Sequence, residues 1–186
     1  MGNNLIIIGG YCGAGKSTFA RNLSKVLRVP CFIKDTIKET MGDSYAEAWS
    51  SETHKKGSAV AVDLMLHIAE SFLAIDKPCI LEANFRISEA ETIKTLLEKY
   101  NSNCLTFIFD GDLNAIYERY FLREKAGNRH WVHLVPGESK DSWKEGQLKG
   151  KLTEVAIGQT IQIDTSNLKK INFDDLFSIA GKFIQG

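Results

Sequence analysis

The stretch GGYCGAGKST, Gly9 to Thr18, constrains this chain more than any other. It follows the unbroken apolar run Leu5-Ile6-Ile7-Ile8 and leads into Phe19, Ala20, Leu23, Val26 and Leu27 at helical spacing. A buried strand, a glycine-rich turn and an amphipathic helix are therefore expected in that order. Within the turn, Gly10-x-x-x-x-Gly15-Lys16-Ser17 is a complete phosphate-binding pattern. Glycines let backbone N–H groups approach phosphate oxygens with no Cβ in the way. The helix that follows adds its positive end. The residues from Gly10 through Cys12, Gly13, Ala14 and Gly15 to Lys16, Ser17 and Thr18 are thus expected to cradle a nucleoside triphosphate. Lys16 would reach its β- and γ-phosphates, and Ser17 would hold Mg²⁺ through its hydroxyl.

The rest of the chain alternates in the same way. Strands are expected at Cys31–Ile33, Cys79–Glu82, Cys104–Phe109 and Ile161–Ile163. Helices are expected from Thr36, with Thr36 and Glu39 as a capping box, over Gly57–Ile75, from Ser88 to about Tyr100, and from about Asp174 to Ile184. Such alternation implies an α/β protein with a parallel sheet covered on both faces. With 186 residues, one domain spanning 1–186 is expected. Lys125 to Leu152 is polar and glycine-bearing with no clear period, and reads as a mobile surface insertion.

Composition narrows the function classes. Hydrophobic residues make up 44% and charged residues 25%, ordinary for a globular protein. Twenty-three basic and 23 acidic side chains cancel, which argues against a nucleic-acid partner. No N-terminal signal sequence is expected. The longest apolar segment, Ala59 to Ile75, carries Asp63, His67 and Glu70 and is too short for a membrane span. The four cysteines have neither metal-ligand nor redox-pair spacing, and a reducing cytoplasm is the simplest setting.

The DxxG and NKxD motifs of GTPase switches and the ABC transporter signature are absent. The chain is also too short for a typical AAA+ module with its helical lid. Taken in order, GGYCGAGKST, KDTIKE, ILEANF, ERYFLREKAGNRH and IDTS resemble small bacterial P-loop kinases related to chloramphenicol phosphotransferase, zeta toxins, gluconate kinase and polynucleotide kinase. The resemblance covers most of the chain. It implies a P-loop NTPase three-layer sandwich, five strands in the order 2-3-1-4-5, an ATP donor, Mg²⁺ and a hydroxyl acceptor. It places Asp35 where an acid orients that hydroxyl, although Asp35 could also cap the helix after it.

Glu82 and Asp110 compete for the acid on the Mg²⁺ side, since both end apolar strands. Glu82 is preferred because its strand usually carries that acid in these kinases, though aspartate is commoner there. Arg119, Arg123 and Arg129, within a lid region of about 115–152, resemble the arginines that neutralise the transferring phosphoryl group. The function implied is transfer of the γ-phosphoryl group of ATP to a small-molecule hydroxyl. The rivals are a nucleotide or nucleic-acid kinase and a non-catalytic ATP-dependent switch.

Overall fold

The computed structural model describes residues 3–127, 129–134, 138–149 and 157–186. Five strands form one sheet: β1 (Asn4–Gly10), β2 (Cys31–Ile33), β3 (Cys79–Glu82), β4 (Asn103–Asp110) and β5 (Gln159–Asp164). All pairings are parallel, in the order β2-β3-β1-β4-β5 that the kinase resemblance implies. The helices are α1 (Lys16–Leu27), α2 (Lys34–Ser44), α3 (Ser51–Leu73), α4 (Ile87–Lys99), α5 (Leu113–Lys125), α6 (Lys140–Leu148) and α7 (Phe173–Gln185). Among the described residues, no helix is long and apolar enough to cross a membrane.

β1 is unbroken in its apolar character because both faces of the central strand are buried. Leu5 and Ile7 pack with Met65 of α3 and Ile93 of α4, while Ile6 and Ile8 face α1 and α7. Phe19 of α1 anchors the second face, with ring centroids 5.2 Å from Phe107, 5.1 Å from Phe109 and 5.4 Å from Phe177. Offset aromatic pairs of this kind add to their buried area.

Three elements differ from the sequence expectation. α2 begins at Lys34, directly after β2, and no side chain caps it. Thr36 and Glu39 lie inside the helix and form no capping box. Asp35 sits in the first turn, where a carboxylate favours the positive helix end. α3 begins at Ser51, six residues before the expected Gly57, because Ser50 and Thr53 form the capping box there. Gly57 is accommodated within the helix, and a Cβ there would lie 2.9 Å from the Trp49 ring.

The segment read as a periodless insertion contains α6. Ser139 caps this helix, and its one large apolar anchor, Trp143, is 2% exposed against Tyr117 and Tyr120. A polar helix held by one tryptophan has no apolar stripe for periodicity to detect. Residues 128, 135–137 and 150–156 of the expected lid region lie outside the described residues.

Candidate functional site

The turn between β1 and α1 takes the form its glycines require. Gly10 has φ +120°, and a Cβ there would lie 2.1 Å from the Phe109 carbonyl oxygen. Only glycine allows that approach, which lets the Tyr11 N–H donate to Phe109 O at 3.0 Å. Gly13 and Gly15 also have positive φ, and α1 starts immediately afterwards at Lys16. The first turn of α1 therefore directs free N–H groups into the loop.

Lys16 is 6% exposed, and its ammonium donates to Tyr11 O at 2.7 Å. It also lies 3.8 Å from Glu82 Oε1. The Ser17 hydroxyl donates to the other oxygen, Glu82 Oε2, at 2.8 Å. Glu82 arrives here through register, because β3 pairs with β1 so that Glu82 stands opposite Ile8, just before the loop. Burial pushes the Glu82 carboxyl above the usual carboxylate range, while Lys16 opposes that rise. Of the two competing acids, the fold thus brings Glu82 to Ser17.

Asp110 is placed differently. Its Oδ1 accepts from the Gly111 N–H at 2.7 Å, and its carbonyl accepts from Thr165 N at 2.8 Å. Asp112, not Asp110, caps α5, through the Ala115 N–H at 2.8 Å. Asp35 lies 3.4 Å from Lys34. Partial burial alone would raise its pKa, but Lys34, His133 and Lys16 outweigh it and hold the carboxyl below its ordinary range. Asp35 is therefore ionised at neutral pH and close in potential to Lys16.

The three arginines do not converge. Arg119 turns inward and donates to Thr165 O at 2.7 Å, bracing the loop after β5. Arg123 is exposed and has no hydrogen bond or ion pair among the described residues. The Arg129 guanidinium lies over the Tyr120 ring, 4.4 Å from its centroid, and bonds to its hydroxyl. Tyr120 in turn donates to Glu138 Oε2 at 2.8 Å.

Two residues in this region were missed by the sequence reading. Lys38 is 3% exposed, and its ammonium donates to His54 Nε2 at 3.0 Å. His54 Nδ1 lies 2.9 Å from Val132 O, so that nitrogen carries the proton and Nε2 accepts. No carboxylate lies within 4 Å of Lys38 among the described residues. Burial pushes Lys38 down to about 8, with Lys34 and Arg129 adding to the effect and Asp35 opposing it. The available signal was Lys34 and Lys38, four apart directly after a strand. The second residue is Gln147 of α6. Its Oε1 accepts from the Cys12 N–H at 2.8 Å, so a side chain of α6 occupies an amide of the phosphate loop.

The turn Trp131–His133 docks on α2. Val132 packs over Gly42, where a Cβ would lie 2.5 Å from Val132 Cγ2. His133 pairs with Glu39 at 3.1 Å and His130 with Asp43 at 3.1 Å. Burial lowers His133 to about 4, so it is neutral at physiological pH. Trp49 packs edge-on against Trp131, with ring centroids 6.0 Å apart, while Tyr45 is exposed.

A buried lysine without a carboxylate makes a pH signature. The unfolded chain holds the Lys38 proton with the ordinary value near ~10.4, more tightly than the folded chain does at about 8. Folded-state stability is therefore penalised below pH 8 and recovers as pH rises toward about 10.4. Lys38→Met should stabilise the protein at pH 7 by at most about 3 kcal/mol, and the gain should vanish near pH 10.4. Urea unfolding of both proteins across that range checks this. Parallel pH profiles would contradict it.

Residues 5–138 match the sequence model of the family described as AAA domain, AAA_33. No curated protein matches the chain. Among solved structures, a candidate kinase from Chloroflexus aurantiacus superposes with a TM-score of 0.85 at 24% identity, covering 97% of each chain. A gluconokinase from Sinorhizobium meliloti gives 0.60 at 12% identity, covering 98% of this chain and 92% of that one. Kti12 from Chaetomium thermophilum, in complex with ADP-AlF3, gives 0.65 at 14%, covering 98% and 100%. At these identities the structural likeness establishes a shared fold. The family match spans most of the chain and includes the whole Gly10–Ser17 loop, and the chain belongs to this AAA-domain family of P-loop proteins.

Proposed function

We propose that this protein is an ATP-dependent phosphotransferase that moves the γ-phosphoryl group to a hydroxyl of a small molecule. The observation that carries the reading is a cavity of about 660 Å³ at the mouth of the phosphate loop. Gly10 and Tyr11 of the loop line it together with Lys34, Ser58 of α3, and Asn84 and Phe85 after β3. A switch that only binds and hydrolyses nucleotide has no need of a second chamber there. A kinase needs one to hold its acceptor.

The residues present suit MgATP. Loop amides and Lys16 offer a cradle for phosphates, and Ser17 with the buried Glu82 carboxylate offers the hard oxygen donors that Mg²⁺ prefers. Bound Mg²⁺ would offset charge on the phosphate oxygens. Glu82 would hold the metal's shell through the Ser17 side, and Lys16 would follow the β- and γ-phosphates. Asp35, kept ionised by Lys34, would orient the acceptor hydroxyl and accept its proton as the oxygen attacks.

In this reading the chain acts as one domain, and the region of about 115–152 is its lid. Arg129 and Lys38 supply positive charge toward the transferring group, and Arg119 braces the β5 loop on the nucleotide side. ATP binding at Cys12 then exchanges Gln147 Oε1 for a phosphate oxygen. The test is ADP release from MgATP against hydroxyl compounds of several classes. Release should rise at least about tenfold with one class, the gain expected when binding orients the acceptor. ADP release indifferent to every acceptor would favour the switch reading instead.

A further inference from the structure

The cavity beside the phosphate loop carries a charge bias that the chain as a whole lacks. Basic and acidic side chains balance overall, 23 against 23. Around the cavity stand the basic Lys34, Lys55, Arg86 and Lys149, against the acidic Glu89 and Asp110. Both acids are already engaged. Glu89 Oε2 accepts from the Arg86 backbone N–H at 2.7 Å, and Asp110 Oδ1 accepts from the Gly111 N–H at 2.7 Å.

Two of the cations are also engaged, Lys34 with Asp35 at 3.4 Å and Lys149 with Glu145 at 2.6 Å. Lys55 of α3 and Arg86 of the β3–α4 loop are not. Neither side chain has an ion pair or hydrogen bond to another side chain among the described residues. Two unspent cations from separate elements thus line one cavity, and both favour negative charge inside it. Val62 and Phe85 add apolar lining for a carbon skeleton, with Asn84 and Ser58 for its hydroxyls.

We propose that the acceptor is an anion: a small polyhydroxylated molecule bearing a carboxylate or a phosphate, its negative group held by Lys55 and Arg86. This rests on the phosphotransferase reading for the term acceptor, but the anion site itself does not. A carboxylate or phosphate matches the planar fork of Arg86, and Lys55 adds a point charge to either. The apolar lining and the hydroxyl partners leave the other end of the molecule for the phosphate loop. A neutral polyol fills the same volume without engaging either cation, so the site discriminates by charge more than by shape.

The experiment uses the full chain saturated with Mg²⁺ and a non-hydrolysable ATP analogue, so that added anions find the phosphate loop filled. Sugar acids form one arm and sugar phosphates the other, each paired with its neutral parent sugar at equal ionic strength. Thermal stabilisation and Kd are read for the natural protein and for Lys55→Ala/Arg86→Ala. Anionic members should stabilise the protein and their parents should not. The double substitution should raise the Kd of the anion by roughly tenfold or more while the nucleotide-induced shift stays.

The arm that responds names carboxylate or phosphate as the group recognised. Neutral parents binding as well as their acids, a double variant that keeps the natural Kd, or no response in either arm would each overturn the proposal. Anion-specific binding, followed by no phosphoryl transfer to any bound compound once MgATP replaces the analogue, would leave the anion site standing and remove the phosphotransferase reading alone.

Discussion

Lys16→Met should reduce phosphoryl transfer by about 10³-fold, the scale associated with removing a cation from a transferring phosphoryl group. Among the described residues, no other cation lies within 4 Å of Glu82. Lys16 is buried, donates to Tyr11 O at 2.7 Å and lies 3.8 Å from Glu82. Methionine keeps the length and apolar stem of the side chain but leaves Glu82 without its nearest cation. The Glu82 carboxyl should then rise further above the usual range, because Lys16 is what opposes its burial.

A group whose folded pKa is raised contributes stability at low pH and loses it as pH climbs through that pKa. The variant should therefore lose more stability, relative to the natural protein, at pH 8 than at pH 5. Chemical denaturation at the two pH values, alongside single-turnover transfer, reads both effects. Transfer within tenfold of the natural rate would remove Lys16 from the mechanism.

Glu82→Gln should raise the Mg²⁺ requirement more than any other single change outside the loop. The amide keeps the shape and an acceptor for the Ser17 hydroxyl, so loop geometry should survive. The negative charge that Ser17 and Lys16 share is lost. The Mg²⁺ concentration for half-maximal turnover should rise by roughly 10–100-fold, the range typical of residues that orient a metal's ligands. Asp110→Asn is the matched control. Its carboxylate serves the Gly111 N–H, so the Mg²⁺ requirement should move by less than about threefold if orientation of the metal's ligands rests with Glu82. An Asp110→Asn shift as large as that of Glu82→Gln would return the metal side to β4.

The parts legible in the sequence were those carried by local chemistry. Leu5–Ile8, the loop glycines and the Phe19–Leu23 face each require a particular local structure, and they fix β1, the turn and α1. Glu82 was legible as a strand-end acid. Its meeting with Ser17 was legible only through the kinase resemblance, because the meeting depends on β3 pairing with β1 at a register that places Glu82 opposite Ile8. The start of α2 was misplaced because Thr36 and Glu39 imitate a capping box while the helix simply continues from β2.

Lys38 and Gln147 stayed hidden for a different reason. Each takes its meaning from a partner far along the chain, His54 in one case and Cys12 in the other. No local spacing encodes such a meeting. The arginines of α5 show the converse. Arg119 and Arg123 lie four apart on α5, yet one reaches Thr165 and the other faces solvent. Helical spacing sets a direction, and the packing around each residue decides what it touches.

The most direct test of the central claim follows the phosphorus. The protein is incubated with MgATP and a pool of small hydroxyl compounds rich in sugar acids and sugar phosphates, and the reaction is watched by ³¹P NMR. The account predicts a new phosphate-ester resonance that grows in step with ADP, one ester for each ADP, and that is absent with Lys16→Met. ATP consumed with orthophosphate as the sole new product, or MgATP bound and left intact in the presence of the whole pool, would contradict it.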